Sequence, residues 1–204
     1  VAYVKAADRE AQIVEAAIRV LSTVGVANTT LRAIAAEADI PLGTLHYVFP
    51  SKDTLLRAVI AALIDEVLVT VKSGLELDRG VAHAIRQGVT RFWDTLVEGD
   101  LGLQIMQYEL AMYSVRSQGP GGLAQLQFER YTALVTEFCA QAAEAAGERC
   151  AVDFGTLGRL SLAVLDGLIV QYVTDSDPAR ARRDLDSAVE MVIGYADPQT
   201  VAYR

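Results

Sequence analysis

The sequence predicts an all-α protein of about nine helices, a small N-terminal three-helix helix-turn-helix unit followed by a larger C-terminal helical domain. Three observations carry that reading. Apolar residues recur at three-and-four spacing over long stretches, and no segment shows a convincing period-two alternation. Gly, Pro, Asp, Ser and Thr fall between the periodic segments, where helices need caps and breaks.

Each element follows from a local signal. Ile13, Ala17, Val20, Leu21 and Val24 give one apolar face to a helix from Asp8 to Val24, which Gly25 ends. Thr29 or Thr30 caps a short helix, TLRAIAAEA, whose Leu31, Ile34 and Ala35 face the first. Ala38, Asp39 and Ile40 form a tight connection. Pro41 then suits the first turn of a third helix that buries Leu45 and Val48. Phe49-Pro50 closes it, Ser51 caps the next with Asp53 in its first turn, and that helix continues through Leu55, Leu56, Val59, Leu63 and Val67 to Lys72. Beyond GLELDRG, helices are expected over 80–98, 101–117, 121–147, 153–175 and 178–196. Gly99-Asp100, Gly119-Pro120-Gly121-Gly122, Gly147 and Asp177-Pro178 separate them. The expected domains are 1–52, with a linking helix over 51–72, and 73–204.

Composition narrows the class. With 204 residues, 52% of them hydrophobic and 22% charged, the chain can bury a sizeable core and is not intrinsically disordered. No apolar run approaches the roughly 20 uncharged residues that cross a bilayer, and VAYVKAADRE lacks the apolar core of a signal peptide. The expectation is a soluble, cytoplasmic protein with no membrane partner. Cys139 and Cys150 form neither a disulfide framework nor a metal pattern, His83 is isolated, and neither a metal nor a cofactor is expected. The net charge of -8 argues against a nucleic-acid partner until its distribution is read. Residues 1–57 carry six basic and six acidic side chains, so the whole excess lies in the remainder.

Two short helices joined by a tight turn and braced by a preceding helix make a helix-turn-helix, and its second helix must present a reading face opposite its core face. Leu45, Val48 and Phe49 form the core face, which leaves Leu42, Gly43, Thr44, His46 and Tyr47 for double-stranded DNA. Gly43 permits close approach of the helix start to a phosphate, and Thr44 can donate to one. His46 and Tyr47 reach phosphates or base edges, and Leu42 suits a thymine methyl. Thr30 and Arg32 on the preceding helix join this set. Lys52 adds a cation at the start of the next helix, beside backbone N–H groups oriented for anions.

The stretch TTLRAIAAEADIPLGTLHYVFPSKDTLL, with the helix before it, resembles the N-terminal DNA-binding domain of TetR-family transcriptional regulators over residues 8–60. The alanine pair, the G-T-L start of the recognition helix and F-P-S-K fall in the family's order. The resemblance implies an all-helical homodimer that reads DNA with its third helix, and a divergent C-terminal domain that binds a small effector. There are departures. Asp39 stands where the family often has Gly, Pro41 where Ser is common, His46 in place of a frequent Tyr, and Val48 in place of a common His or Tyr.

In the C-terminal region Trp93, Met106, Tyr108, Met112, Tyr113, Phe128, Tyr131 and Phe138 recur on the middle helices, with Gln104, Glu109 and Arg130 as polar groups. Such a mixture is typical of a small-molecule site. The candidate effector residues are Trp93, Met106, Glu109, Met112, Tyr113, Phe128, Tyr131 and Tyr172. Helices 153–175 and 178–196 carry long apolar stripes with small residues between them, which suits a four-helix homodimer interface through residues 153–196. The function expected is a one-component repressor, released from a palindromic operator by a small, mostly apolar effector. The rivals are an activator or global DNA organiser on the same fold, and a small helical enzyme. The last has no catalytic constellation at useful spacing.

Overall fold

The computed structural model describes residues 6–118 and 122–201; the Gly-Pro-Gly break expected at 119–121 lies outside the described residues. The described helices are α1 (Ala6–Val24), α2 (Leu31–Glu37), α3 (Leu42–Val48), α4 (Lys52–Lys72), α5 (Val81–Phe92), α6 (Leu101–Gln118), α7 (Leu123–Ala146), α8 (Phe154–Asp175) and α9 (Pro178–Ala196). A 3-10 turn, Leu77–Arg79, precedes α5, and a π-turn, Trp93–Val97, comes directly after it. The all-α expectation holds with one addition. Strands β1 (Glu148–Arg149) and β2 (Gln199–Thr200) pair antiparallel, with Glu148 opposite Thr200.

The helix ends carry the chemistry their sequences imply. Thr30 caps α2, its hydroxyl oxygen accepting from the Ala33 N–H at 3.1 Å. Thr29 is not the cap; its hydroxyl donates to the Gly25 carbonyl at 2.7 Å. The Ser51 hydroxyl accepts from Thr54 N–H at 3.1 Å, and the Thr54 hydroxyl accepts from Ser51 N–H at 3.2 Å, a reciprocal closure of the start of α4. Asp153 and Asp177 cap α8 and α9 in the same way, accepting from Thr156 and Arg180 N–H at 2.8 and 3.0 Å.

The chain forms two compact units. One joins the residues up to Asp65 with Gly102–Gln127, and the other joins Glu66–Leu101 with the residues from Phe128 onward. The first has an apolar core in which Ile13, Ala17 and Leu21 of α1, Ile34 of α2, Leu45 of α3 and Leu55, Leu56 and Val59 of α4 are all nearly sealed from water. Met106 and Leu110 of α6 are buried in the same unit.

The second unit has two clusters. Val81, Ala84 and Ile85 of α5 meet Cys139, Ala142 and Ala143 of α7, Leu157 of α8 and Val189 and Val192 of α9. Val67, Val71, Leu96, Leu134 and Phe138 form the other. Burial, with the nearby Cys150, pushes the Cys139 thiol up to about 12. Helix α8 crosses α7 closely, because a Cβ at Gly158 would lie 2.8 Å from the Thr136 hydroxyl oxygen.

Helix α8 is, by length and composition alone, apolar enough to cross a membrane, although Arg159 and Asp166 interrupt it. The expectation that no uncharged run comes near that limit stands, because those two charges divide the helix into short apolar stretches. Only 28% of its most apolar window is buried within the chain.

Candidate nucleic-acid interface

The site is built outward from α1. The side-chain amide of Gln12 donates to the Ala38 carbonyl at 2.7 Å, and Arg19 pairs with Glu37 at 2.7 Å, so α1 grips both the end of α2 and the turn after it. Ala38 and Ile40 close that turn through backbone bonds to Ile34 and Ala35. Asp39 sits at φ 50, the left-handed conformation that glycine meets without strain and that aspartate tolerates better than most residues.

Helix α3 then starts at Leu42, with the Pro41 carbonyl accepting from Thr44 N–H at 2.9 Å and no side-chain cap. The missing hydroxyl at position 41 is therefore visible as an uncapped helix start. Leu45 is fully buried and Phe49 nearly so, while Val48 is only half-buried. The opposite face is open. Tyr47 is 89% exposed, His46 and Gly43 are exposed, Leu42 and Thr44 are half-buried, and nothing lies within 4 Å of where a Gly43 side chain would begin. Thr30 and Arg32 are exposed on α2. One short helix thus presents an aromatic ring, an imidazole and a hydroxyl to solvent while a leucine anchors it from behind, the arrangement a groove-reading helix requires.

Lys52, the eighth expected DNA contact, also has partners within the chain. The sequence suggests a phosphate-facing cation at Lys52, but its Nζ donates to the carbonyls of Val26 at 3.0 Å and Thr29 at 2.9 Å and lies 5.6 Å from the Tyr113 ring centroid. Burial lowers its pKa below the ordinary lysine value. Two of its three N–H bonds are committed to the loop between α1 and α2, so it fixes that loop first.

The expected effector residues fall in both compact units. Trp93 is fully buried at the head of the π-turn, its indole N–H donates to Glu98 at 3.0 Å, and its ring centroid lies 5.6 Å from that of the buried Tyr172. Arg182 bonds Glu98 at 3.2 Å and also Asp94. Tyr131 packs beside the Leu96, Leu134 and Phe138 cluster, and Phe128 is exposed. Those residues belong to the second unit. In the first, Met106 is buried, Met112 and Tyr113 are exposed, and Glu109 uses its carboxylate to accept from the Val26 N–H at 2.7 Å. Glu109 therefore has a backbone partner in the loop between α1 and α2. Sequence reasoning also missed Gln12 and Val26, since a side chain bonded to a backbone group leaves no trace in residue type.

Comparison with known proteins gives one consistent answer. The family model for bacterial regulatory proteins of the tetR family matches residues 13–59, the segment that holds the interface just described. The HTH-type nicotine-responsive transcriptional repressor HdnoR of Paenarthrobacter nicotinovorans is 29% identical over 93% of this chain and 95% of its own. The HTH-type transcriptional regulator BetI of Paraburkholderia phymatum is 24% identical over 93% and 91%. Among solved structures, the multidrug binding protein EbrR complexed with ethidium is 26% identical, with a TM-score of 0.67 over 92% of this chain and 98% of that one.

Proposed function

From the premise that the chain belongs to the TetR family of bacterial transcriptional regulators, we propose that it is a repressor whose α3 reads a palindromic operator as a homodimer and which a small effector releases. The family and its regulators are DNA-binding proteins and not enzymes. The observation that carries the reading is the contrast within α3 between the sealed Leu45 and the 89% exposed Tyr47. Residues 1–52 are the reading domain and 73–204 the effector and dimer domain. Thr30, Arg32, Leu42, Gly43, Thr44, His46 and Tyr47 contact double-stranded DNA, with phosphates positioning the helix and base edges selecting the site.

Helices α8 and α9 supply the homodimer surface. Leu160 and Val170 of α8 and Met191 and Tyr195 of α9 stay exposed, and Ser161, Val164, Leu165, Leu185 and Ala188 line an apolar groove that Ile85 and Val89 of α5 close. A two-fold dimer reads half-sites one helical turn, or a multiple, apart. The regulator acts in the cytoplasm.

The effector is small and mostly apolar. The acidic excess of residues 58–204 and the names of the relatives, which mention nicotine and ethidium, make nitrogen-containing aromatic compounds the first to test. The effector can release the operator only by binding the two states with different affinities. Genomic fragments captured by the purified protein would identify the operator, and a shift assay with nicotine or ethidium would test release. Tyr47→Ala should weaken binding to the captured fragment about tenfold at fixed salt, the loss of roughly one good contact. An unchanged affinity would remove α3 as the reading helix.

A further inference from the structure

We propose that Glu109 is a positioning residue for operator binding, which holds the loop between α1 and α2 from α6 by gripping the N–H of Val26 while Lys52 grips its carbonyl. The inference rests on α3 being the reading helix.

The same residue is held on both sides. The Glu109 carboxylate accepts from Val26 N–H at 2.7 Å, and the Lys52 ammonium donates to Val26 and Thr29 carbonyls at 3.0 and 2.9 Å. Both are charge-assisted bonds, about twice as strong as bonds between neutral groups. The loop is shaped for this grip. Gly25 lies at φ +79, and a Cβ there would come within 2.9 Å of the Glu109 carboxylate. Any other residue would crowd the acid as well as strain the backbone. The Val26 side chain is buried at 2% exposure, so the loop is fixed by apolar packing as well as by the two charges.

The loop matters because it sets the start of α2. Thr29 precedes the N-cap Thr30, and α2 carries the turn that orients α3. A loop released from Glu109 lets the start of α2 sample other conformations. The apparent affinity for DNA then falls with the fraction of molecules in the competent arrangement. Glu109 and Val26 both lie in the first compact unit although 83 residues separate them, so the grip also explains why α6 groups with the helix-turn-helix. The Lys52 ammonium near the Tyr113 ring adds a second link from α6 to the same loop.

The test uses the full chain and the genomic fragment captured by the wild-type protein. Glu109→Leu, which has a similar volume but no acceptor, should weaken binding about tenfold and speed amide exchange at Val26 about tenfold, with helix content and melting temperature retained. Glu109→Gln keeps an acceptor oxygen and should lose only about threefold in each. Equal losses for the two variants, or wild-type affinity for Glu109→Leu while Tyr47→Ala loses it, would overturn the inference and leave α3 as the reading helix. If Tyr47→Ala and Thr44→Ala both bind normally, the reading helix itself is wrong and the inference falls with it. Should Glu109→Leu fail to fold, Lys52→Met probes the other side of Val26, and unchanged Val26 exchange there would also overturn the proposal.

Discussion

Asp39 stands in the turn between α2 and α3 with a left-handed backbone, and that conformation carries a cost. At φ 50 an aspartate is tolerated where a β-branched residue would be strained, and glycine would sit without penalty. Asp39→Gly should therefore raise stability by up to about 1 kcal/mol, less whatever glycine adds to the entropy of the unfolded chain, and Asp39→Val should lower it by at least as much. Chemical denaturation of the two variants reads the difference. The buried Cys139 gives a second expectation. Its thiol is raised from an ordinary 9.0 to about 12, so between those values the folded chain holds a proton that the unfolded chain releases. Stability should fall as pH rises through that window, and Cys139→Val should flatten the fall in an alkaline denaturation series. Burial also raises the Cys150 thiol, but Cys150 is less deeply placed and should be alkylated first in the native protein.

At the scale of elements, Gly158 shows why α7 and α8 lie so close. An added methyl group would stand 2.8 Å from the Thr136 hydroxyl oxygen and 3.0 Å from the Thr132 carbonyl. The hydroxyl can rotate away, but the helix backbone cannot. Gly158→Ala should destabilise the chain by about 1–3 kcal/mol in thermal unfolding despite the better helix propensity of alanine.

The helices themselves were legible. Most ends fell within two residues of expectation, because caps such as Asp153 and Asp177 and breaks such as Gly25 and Pro178 are local chemistry. The expected helix over 80–98 instead turns to π geometry at Trp93, where burial of the indole and its bond to Glu98 outweigh the regular period. Strands of two residues carry no period to detect. The exposed face of α3 was legible for the same local reason as the helices, since a seven-residue helix with Leu45 inward leaves Tyr47 outward. The inward turn of Lys52 was not, because its partners are backbone carbonyls.

At the scale of the whole molecule, the acidic excess and the exposed apolar stripe of α8 make opposite demands. Charge keeps copies apart in solution, while Leu160 and Val170 remain uncovered within one chain. Placing a charge on the stripe should shift the balance. For the proposed homodimer through α8 and α9, Leu160→Glu should give a monomer in light scattering and weaken binding to the proposed operator steeply, with the helix content of each chain preserved. Affinity for the proposed operator should also fall as salt rises, with a slope set by the number of phosphates contacted. The two-residue strand pair bears on the order in which the chain folds. Helical turns form between near neighbours, but β1 meets β2 only after the chain has looped out through α8 and α9 and returned, with Ala151 bonding Ala196 and Val201 bonding Gly147 at 2.8 Å each. That closure carries the entropy of a long loop for very few bonds. The pair is therefore the last clasp to fasten during refolding and the first to open, and proteases should find the ends of α7 and α9 well before they reach the helices between them.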